Sequence, residues 1–591
     1  MVPNLSDLLI SISRRRNPVN QRLDFGDVCL VCEKSLIETR FFKQYYVCEN
    51  CNFHYTMDAR QRIDWIADPD TFQESDRAVY SSDPLEFKTL FTYKTKLSGD
   101  SKRTGLTEAA VTGMCEIGGV AAQLIVLDFG FMGGSMGCVV GEKVALALER
   151  SYKKKIACVA IVTSGGTRFQ EGVLSLMQMA KTVTVANQLK LKGIPLISIL
   201  SNPCTGHTFA SFPNLSDIIL GEPGAMVGLQ SLQIVREASL DALPNSANTS
   251  EFHLKHGMID AVVERPKLKE TVSTILDLLS SEYKVSRKIT RAPRNIRKVN
   301  LNKRNNHVWD IVQIARHDSR PTARDYINKI LTNFIELHGD RHYGDDSTII
   351  SGIGYLGGQT VAIVGQEKHR KSTDENLRNA KTTPEGFRKV QRLIKVADKF
   401  SLPVITLVDT LGPKLGIDSE ERGLANTIAT TISEMVSLQV PSISVIIGEG
   451  GSEAALPLLV TNKTFMLQNS ILSVVSPEGA ASIIYQDSKK AKDVAESLKI
   501  TAIDCYQLGI IDKIVLEPSG GAHNNADDAA RILSRELIKE ISTIQSFSKR
   551  KLVGDRQKRF RNVGEYSSYF RQAISTEVGF LKGLVKPSSK S

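Results

Sequence analysis

Residues 156–172 read Ile156-Ala157-Cys158-Val159-Ala160-Ile161-Val162-Thr163-Ser164-Gly165-Gly166-Thr167-Arg168-Phe169-Gln170-Glu171-Gly172, and this stretch sets the fold class. An unbroken apolar run of β-branched and small residues reads as a buried strand. It ends in two glycines, and Val173-Leu174-Ser175-Leu176-Met177-Gln178-Met179-Ala180 then follows a helical pattern. A buried strand that stops at Gly-Gly and passes into a helix leaves backbone N–H groups pointing out at the strand's carboxyl end. Such donors, with the positive end of the helix, suit a phosphate or a developing oxyanion. Taken alone, the two glycines fit an ordinary strand-to-helix turn better than a ligand site.

The totals bound what surrounds this turn. A chain of 591 residues is too long for one core and implies two or more domains. Hydrophobic residues at 41% and charged ones at 24% are those of a soluble globular protein. No apolar run reaches the roughly 20 residues of a membrane span. Leu8-Leu9-Ile10 ahead of Arg14-Arg15-Arg16 has the wrong order for a signal peptide, so no membrane association and a cytoplasmic location are expected. The net charge of +11 permits anionic ligands, CoA phosphates or nucleic acid. Much of it lies in Arg287–Arg304 and Lys549–Arg561, expected to be solvated linkers or faces. The nine cysteines comprise one regular group of four and five scattered ones, which is not a disulfide framework.

The group of four is Cys29-x2-Cys32 and Cys48-x2-Cys51. Two such knuckles complete a closed tetrahedral Zn²⁺ site, structural because no coordination position stays open. Arg40–Val47 between them is expected to form a β-hairpin arm. A docking or lid role for this ribbon is expected ahead of nucleic-acid binding.

The rest of the chain repeats itself. Gly118-Gly119-Val120-Ala121-Ala122-Gln123-Leu124-Ile125 returns as Gly357-Gly358-Gln359-Thr360-Val361-Ala362-Ile363-Val364. The strand Ile156–Val162 returns as Leu402–Asp409, again running into glycines, at Gly412 and Gly416. Ile194–Leu200 returns as Val440–Ile447, and each half closes with Gly-x-Ile-Asp-x-x-Val, at Gly257–Val263 and Gly509–Val515. Helices are expected over Gly141–Tyr152 and Gly172–Leu191, and residues 307–345 read as helical. The predicted plan is a flexible lead (1–25), the ribbon (26–58), an α/β domain (59–285), a basic linker (286–306), a second α/β domain (307–545) and a basic tail (546–591).

Longer motifs then carry a resemblance. The zinc ribbon, Phe131-Met132-Gly133-Gly134-Ser135-Met136-Gly137 and the Ser164–Gly172 turn resemble the β subunit of bacterial acetyl-CoA carboxylase carboxyltransferase. Ala315-Arg316-His317, Glu336–Arg341, Glu420-Glu421-Arg422-Gly423, Gly448-Glu449-Gly450-Gly451-Ser452 and Ser476-Pro477-Glu478-Gly479 resemble its α subunit. The likeness spans about residues 26–265 and 305–520, so the chain looks like a β–α fusion. It implies an α/β fold of two tandem crotonase-like domains behind the ribbon. It also implies transfer of a carboxyl group from carboxybiotin, on a biotin carboxyl carrier protein served by a biotin carboxylase, to acetyl-CoA, giving malonyl-CoA. The site would lie where a β-type domain meets an α-type one, commonly across a dimer interface, so a homodimer or higher oligomer is expected.

The resemblance places acyl-CoA oxyanion donors at Gly166 or Thr167 and at Gly206 or His207. It places the biotin donors at Gly412 and the Glu453-Ala454 turn. Gly133, Gly134, Arg168, Gly450 and Gly451 would bind cofactor or substrate, and Lys368 and Arg370 would meet phosphates or the carboxylate, or stand as plain surface cations. The enolate and the biotin ureido oxygen each need preorganised donors, and no side-chain nucleophile is required. The family's second Gly-Gly turn is here Gly206-His207 in one half and Glu453-Ala454 in the other. Its Pro-Gly-Ala-Tyr-Pro-Gly loop is Leu411-Gly412-Pro413-Lys414-Leu415-Gly416, and Leu229-Gln230-Ser231-Leu232-Gln233 also departs. Glu453 and His207 thus admit general acid–base roles, Glu453 only if burial raises its pKa. A diverged acyl-thioester enzyme, or a catalytically altered or inhibitor-tolerant substitute subunit, stand as the alternatives.

Overall fold

The computed structural model describes residues 28–29, 31–36, 39–83, 85–87, 92–229, 247–286 and 307–563. The lead, residues 287–306 of the linker and the departure at 230–233 lie outside them. Sixteen strands form two sheets: β1 Gln73–Ser75, β2 Ala110–Ile117, β3 Val120–Leu127, β4 Ala157–Ser164, β5 Leu196–Thr205, β6 Ile218–Gly221, β7 Val227–Gly228 and β8 Ala261–Val262 in the first. The second holds β9 Thr332–Glu336, β10 Ile349–Leu356, β11 Gln359–Gln366, β12 Val404–Thr410, β13 Ser442–Gly451, β14 Lys463–Leu467, β15 Ile471–Ser473 and β16 Lys513–Val515.

The strand order is β1-β2-β3-β4-β5-β6-β8 with β7 beside β5, and β9-β10-β11-β12-β13-β14-β16 with β15 beside β13. The duplication read from the sequence is therefore a duplication of topology. It extends to register, since Ser164 pairs with Cys204 as Thr410 pairs with Gly450, each just past a slip in the ladder. The β2–β3 and β10–β11 hairpins turn on Gly118-Gly119 and Gly357-Gly358, all four at positive φ, as the two-residue turns of twisted hairpins require. From β3 and from β11 onward the strands run parallel. The central ones are buried along their length, which is why they read as continuous apolar runs.

Helices Cys138–Lys154, Gly172–Lys192, Pro384–Phe400 and Leu424–Ser437 cross between parallel strands. Three expectations change. Arg40–Tyr45 is a helix and not a hairpin arm: Thr39 caps the Phe42 N–H, and Phe41–Tyr45 rings stand 5.0 Å apart across one turn. Local capping and i,i+4 packing outweigh aromatic strand propensity there. The helical reading of 307–345 holds for Val308–Arg316 and Ala323–Ile330 only, because Thr332–Glu336 pairs with β10 as an edge strand. The basic tail begins as a docked helix, Lys549–Arg561. Leu552 and Arg556, four residues apart, are buried, and Arg556 donates to the carbonyls of Met435 and Leu438, ending helix Leu424–Ser437.

The repeated aspartates perform one task twice. Asp260 accepts the Ile219 N–H at 2.7 Å and Asp512 the Thr464 N–H at 2.8 Å, each pinning the strand beside it. Asp260 also receives Arg341 and Arg392 from the second half. Beside it the halves meet backbone to backbone: a Cβ on Gly339 would lie 2.2 Å from the Gly257 carbonyl oxygen. The Glu336–Arg341 motif thus builds the seam between halves, and one hydrophobic core spans them. No helix of the described residues is long and apolar enough to cross a membrane.

Candidate active site and metal centre

At the carboxyl end of β4, Gly166 takes φ +109° and donates its N–H to Ser164 Oγ at 3.1 Å. At the end of β5, Gly206 opens the short helix Gly206–Phe209 with φ +68°. The two turns cross in contact, since a Cβ on Gly206 would lie 2.7 Å from Gly166 Cα. Thr167 Oγ1 and His207 Nδ1 close the crossing at 2.5 Å, and Ser164 Oγ meets Thr208 Oγ1 at 2.8 Å beneath it. Gly133 and Gly134 brace it from behind: the Gly165 N–H donates to the Gly133 carbonyl at 2.8 Å, and a Cβ on Gly134 would lie 2.2 Å from the Thr163 carbonyl oxygen.

The second half repeats this crossing with different residues. Gly412, at φ +126°, donates to Thr410 Oγ1 at 3.2 Å as Gly166 does to Ser164. The close approach is made by Gly451, whose Cβ would stand 3.1 Å from the Gly412 nitrogen, and a Cβ on Gly450 would meet Leu472 at 2.7 Å. Pro413 occupies the place of Thr167 and offers no N–H, so the open donors of this crossing are among the first amides of helix Ser452–Leu459, Ala454 included. Ala454 is buried. Glu453 is exposed, accepts from Ser452 Oγ, and that bond with its own backbone N–H lowers its pKa. The condition for a general acid–base role, burial raising the pKa, is not met: the bond from Ser452 leads the opposite shift.

Arg168 does not face the crossing. Its guanidinium is wholly buried, 2.7 Å from Glu108, and donates to Ser135. Burial opposes its charge, but Glu108 and Tyr93 raise its pKa. Glu171 beside it accepts from Tyr93 Oη at 2.6 Å and from the Cys138 N–H at the start of helix Cys138–Lys154, and these donors outweigh burial and lower its pKa. A Cβ on Gly137 would strike that carboxylate at 2.8 Å. The charged residues of the motif are therefore framework, and only its glycines and Thr167 reach the turn.

Lys368 and Arg370 are not surface cations. Lys368 Nζ lies 2.6 Å from Glu449 Oε2 and 3.5 Å from Asp409 Oδ1, and Arg370 Nη2 lies 2.7 Å from Asp409 Oδ2. Arg316 pairs with Glu449 and takes Glu478 in a fork at 2.6 and 3.1 Å. Arg316, Glu449 and Glu478 stood in motifs quoted from the sequence, but nothing in their spacing showed that they converge with Asp409.

At the other end of the first half, the four cysteine sulfurs lie within 4.8 Å of one another, Cys29–Cys51 at 3.6 Å and Cys32–Cys48 at 3.7 Å. Tetrahedral bonds of about 2.3 Å set sulfurs about 3.8 Å apart, so the set fits a closed four-thiolate ion. Its mount is a buried triad that sequence reasoning missed: Glu222 accepts Arg62 at 2.5 and 2.9 Å and Arg265 at 2.8 and 2.7 Å. Arg265 also donates to the carbonyl of Tyr45, and its N–H points to His54 Nε2 at 3.4 Å. Burial pushes His54 down to about 4, so it stays neutral.

The chain thus holds two α/β units of one topology, each crossing glycine turns at the carboxyl ends of parallel strands. Among solved structures, transcarboxylase 12S superposes with a TM-score of 0.65 at 21% identity, over 83% of this chain and 90% of that one. A single-chain long-chain acyl-CoA carboxylase gives 0.62 at 17%, over 82% of this chain and 46% of that one. Residues 258–564 match the family described as acetyl co-enzyme A carboxylase carboxyltransferase-like. The acetyl-coenzyme A carboxylase carboxyl transferase subunits beta/alpha of Clostridium tetani is 40% identical over 91% of this chain and 93% of its own length. That of Natranaerobius thermophilus is 38% identical over 91% of both chains. The alpha subunit of Staphylococcus aureus is 47% identical over 44% of this chain and 82% of its own. The chain belongs to the family of fused acetyl-CoA carboxylase carboxyl transferase β/α subunits.

Proposed function

We propose that this chain moves a carboxyl group from carboxybiotin on a carrier protein to acetyl-CoA, giving malonyl-CoA. The observation that carries this is the paired crossing: two halves of one topology each bring glycine turns together at the carboxyl ends of parallel strands. Carboxybiotin loses CO₂ and keeps the electron pair on its ureido group. That group takes a proton from the carbon next to the thioester, and the resulting enolate attacks CO₂ to form the new C–C bond. The β-type domain (59–285) would hold the thioester oxygen with Gly166 or Thr167 and Gly206 or His207. The α-type domain (307–545) would hold the ureido oxygen with the first amides of helix Ser452–Leu459, Ala454 among them, Gly412 shaping the facing turn.

Among the described residues, no hydrogen bond or ion pair joins the two crossings within one chain. Val173 and Met177 beside the first, and Leu415 and Ile417 beside the second, are exposed at 66, 56, 73 and 71%. Both facts support a second copy completing each site, hence a homodimer or larger oligomer, with biotin carboxylase and the biotinylated carrier as partners. Glu453's exposure removes the buried acid that a biotin-independent thioester enzyme would have drawn on.

The transfer is tested in reverse: malonyl-CoA and biocytin are mixed with the purified chain and acetyl-CoA is followed by mass spectrometry. Biotin-dependent acetyl-CoA is expected. Equal acetyl-CoA without biotin would reject carboxyl transfer in favour of plain decarboxylation.

The ion of the four-cysteine cluster would be Zn²⁺, in a structural role. The purified chain is expected to carry one equivalent by elemental analysis. Chelation should free four thiols to a thiol reagent and lower the first thermal transition, since such ions hold folds too small to hold themselves.

A further inference from the structure

The two crossings differ in what supports them. Six ionised side chains converge behind the second: Arg316, Lys368 and Arg370 against Asp409, Glu449 and Glu478. The side chains of Lys368, Arg370, Asp409 and Glu449 are all less than a tenth exposed. The common register allows position-by-position comparison with the first half. Val120 matches Gln359 as the first residue after each hairpin turn, and Ser164 and Cys204 match Thr410 and Gly450. Counting from these, Lys368, Arg370, Asp409 and Glu449 stand where the first half has Phe129, Phe131, Thr163 and Pro203.

These four positions are uncharged in the first half, whose own buried charges, Arg168, Glu108 and Glu171, sit instead at its turn. Burying ions costs several kcal/mol each unless pairing repays it, and an apolar replacement is often as stable. The geometry of the charged cluster behind the second crossing shows what it controls. Asp409 directly precedes Thr410, the residue that holds the Gly412 N–H, and Glu449 lies two residues before Gly451. Asp409 Oδ1 also accepts the Glu449 N–H at 2.9 Å. Lys368, reaching both carboxylates from the end of β11, ties the ends of β12 and β13 together where their ladder slips.

We infer that Lys368 is a positioning residue for the second crossing: through Glu449 and Asp409 it fixes the spacing of the turns that receive a cyclic urea, the carboxyl donor. The inference rests on the carboxyl-transfer reading above, which puts the donor in this half. Lys368 acts through its partners and touches no reacting atom.

The test uses the full chain in the reverse assay, with Lys368→Met, Lys368→Arg and Glu449→Gln beside wild type. Biocytin binding is measured separately by calorimetry, which needs no turnover. Lys368→Met is expected to lower kcat/KM for biocytin by about ten- to a hundredfold, the cost of a small misplacement, with KM for malonyl-CoA unchanged within twofold. Glu449→Gln should show the same split, and Lys368→Arg should recover most of the loss. Parallel loss toward both substrates, tracking a fall in Tm, would show a merely structural role and overturn the inference, as would unchanged biocytin kinetics. A wild type that binds biocytin without transfer defeats the carboxyl-transfer reading alone, and the binding comparison then decides the inference. A wild type that neither binds nor transfers defeats both.

Discussion

Gly206→Ala is expected to cost carboxyl transfer about 10²–10³-fold, the loss seen when one preorganised oxyanion donor is removed, while the chain stays folded. The methyl group has nowhere to go. It would stand 2.7 Å from Gly166 Cα, and φ +68° is a conformation that side chains other than glycine adopt only with strain. The two turns must part, and the Thr167–His207 contact that closes the crossing is lost with them. The rest of the first sheet does not depend on this contact, because β4 and β5 pair from Cys158 to Val162 without it. Steady-state kinetics and a thermal melt on the same sample check the expectation. Activity within a few-fold of wild type would show that the crossing is not the thioester site. Ser452→Ala, at the matching position in the second half, is a fitting control: it adds no atom at a close approach.

Glu222→Gln is expected to destabilise the first half by about 3–5 kcal/mol, as removing one partner of a buried ion pair does. Two guanidiniums, Arg62 and Arg265, would keep their burial and lose the carboxylate between them. The effect should reach the ribbon, since Arg265 also holds the Tyr45 carbonyl and faces His54. Chemical denaturation with thiol reactivity of the four cysteines as a second probe would register both. The pH dependence follows from the sign of the shift. Burial raises the Glu222 pKa, but the two arginines overcome it and hold it well below the usual carboxylate range. Its contribution is thus present above the ordinary glutamate pKa, about 4.3, and is lost as pH falls through the lower folded value. The difference between wild type and variant should accordingly shrink in acid. A variant as stable as wild type at neutral pH would mean that the triad is spectator to folding.

Much of this was legible in the sequence because it is written in local signals. Strand runs, Gly-Gly hairpins and two Cys-x2-Cys knuckles are contiguous, and their repetition gave the doubled α/β plan before any contact was known. The ribbon arm and β9 were misread for the opposite reason. Arg40–Tyr45 is aromatic enough for a strand and was decided by a threonine cap, while Thr332–Glu336 continues a helical stripe and was decided by pairing with β10. The site was half legible. The family resemblance pointed to Gly166, Gly206 and Gly412, and each takes the positive φ that glycine allows. Which charged residues face a ligand depends on contacts distant in sequence, so Arg168, Lys368 and Arg370 looked like ligand-facing cations until their carboxylates came into view. Glu453 looked ominous beside an anion site and proves to point at water.

The seam between the halves bears on how such a chain arises. Gly257 and Gly339 touch with no space for a methyl group, Asp260 takes two arginines from across the boundary, and Lys399 meets Asp217 at 2.7 Å. These contacts specify their own alignment without help from the covalent connection. A relative that matches over 44% of this chain bears the name of an alpha subunit, so the same surfaces are of interest where the two halves carry separate names. Joining them adds equal stoichiometry and high local concentration, not a new geometry.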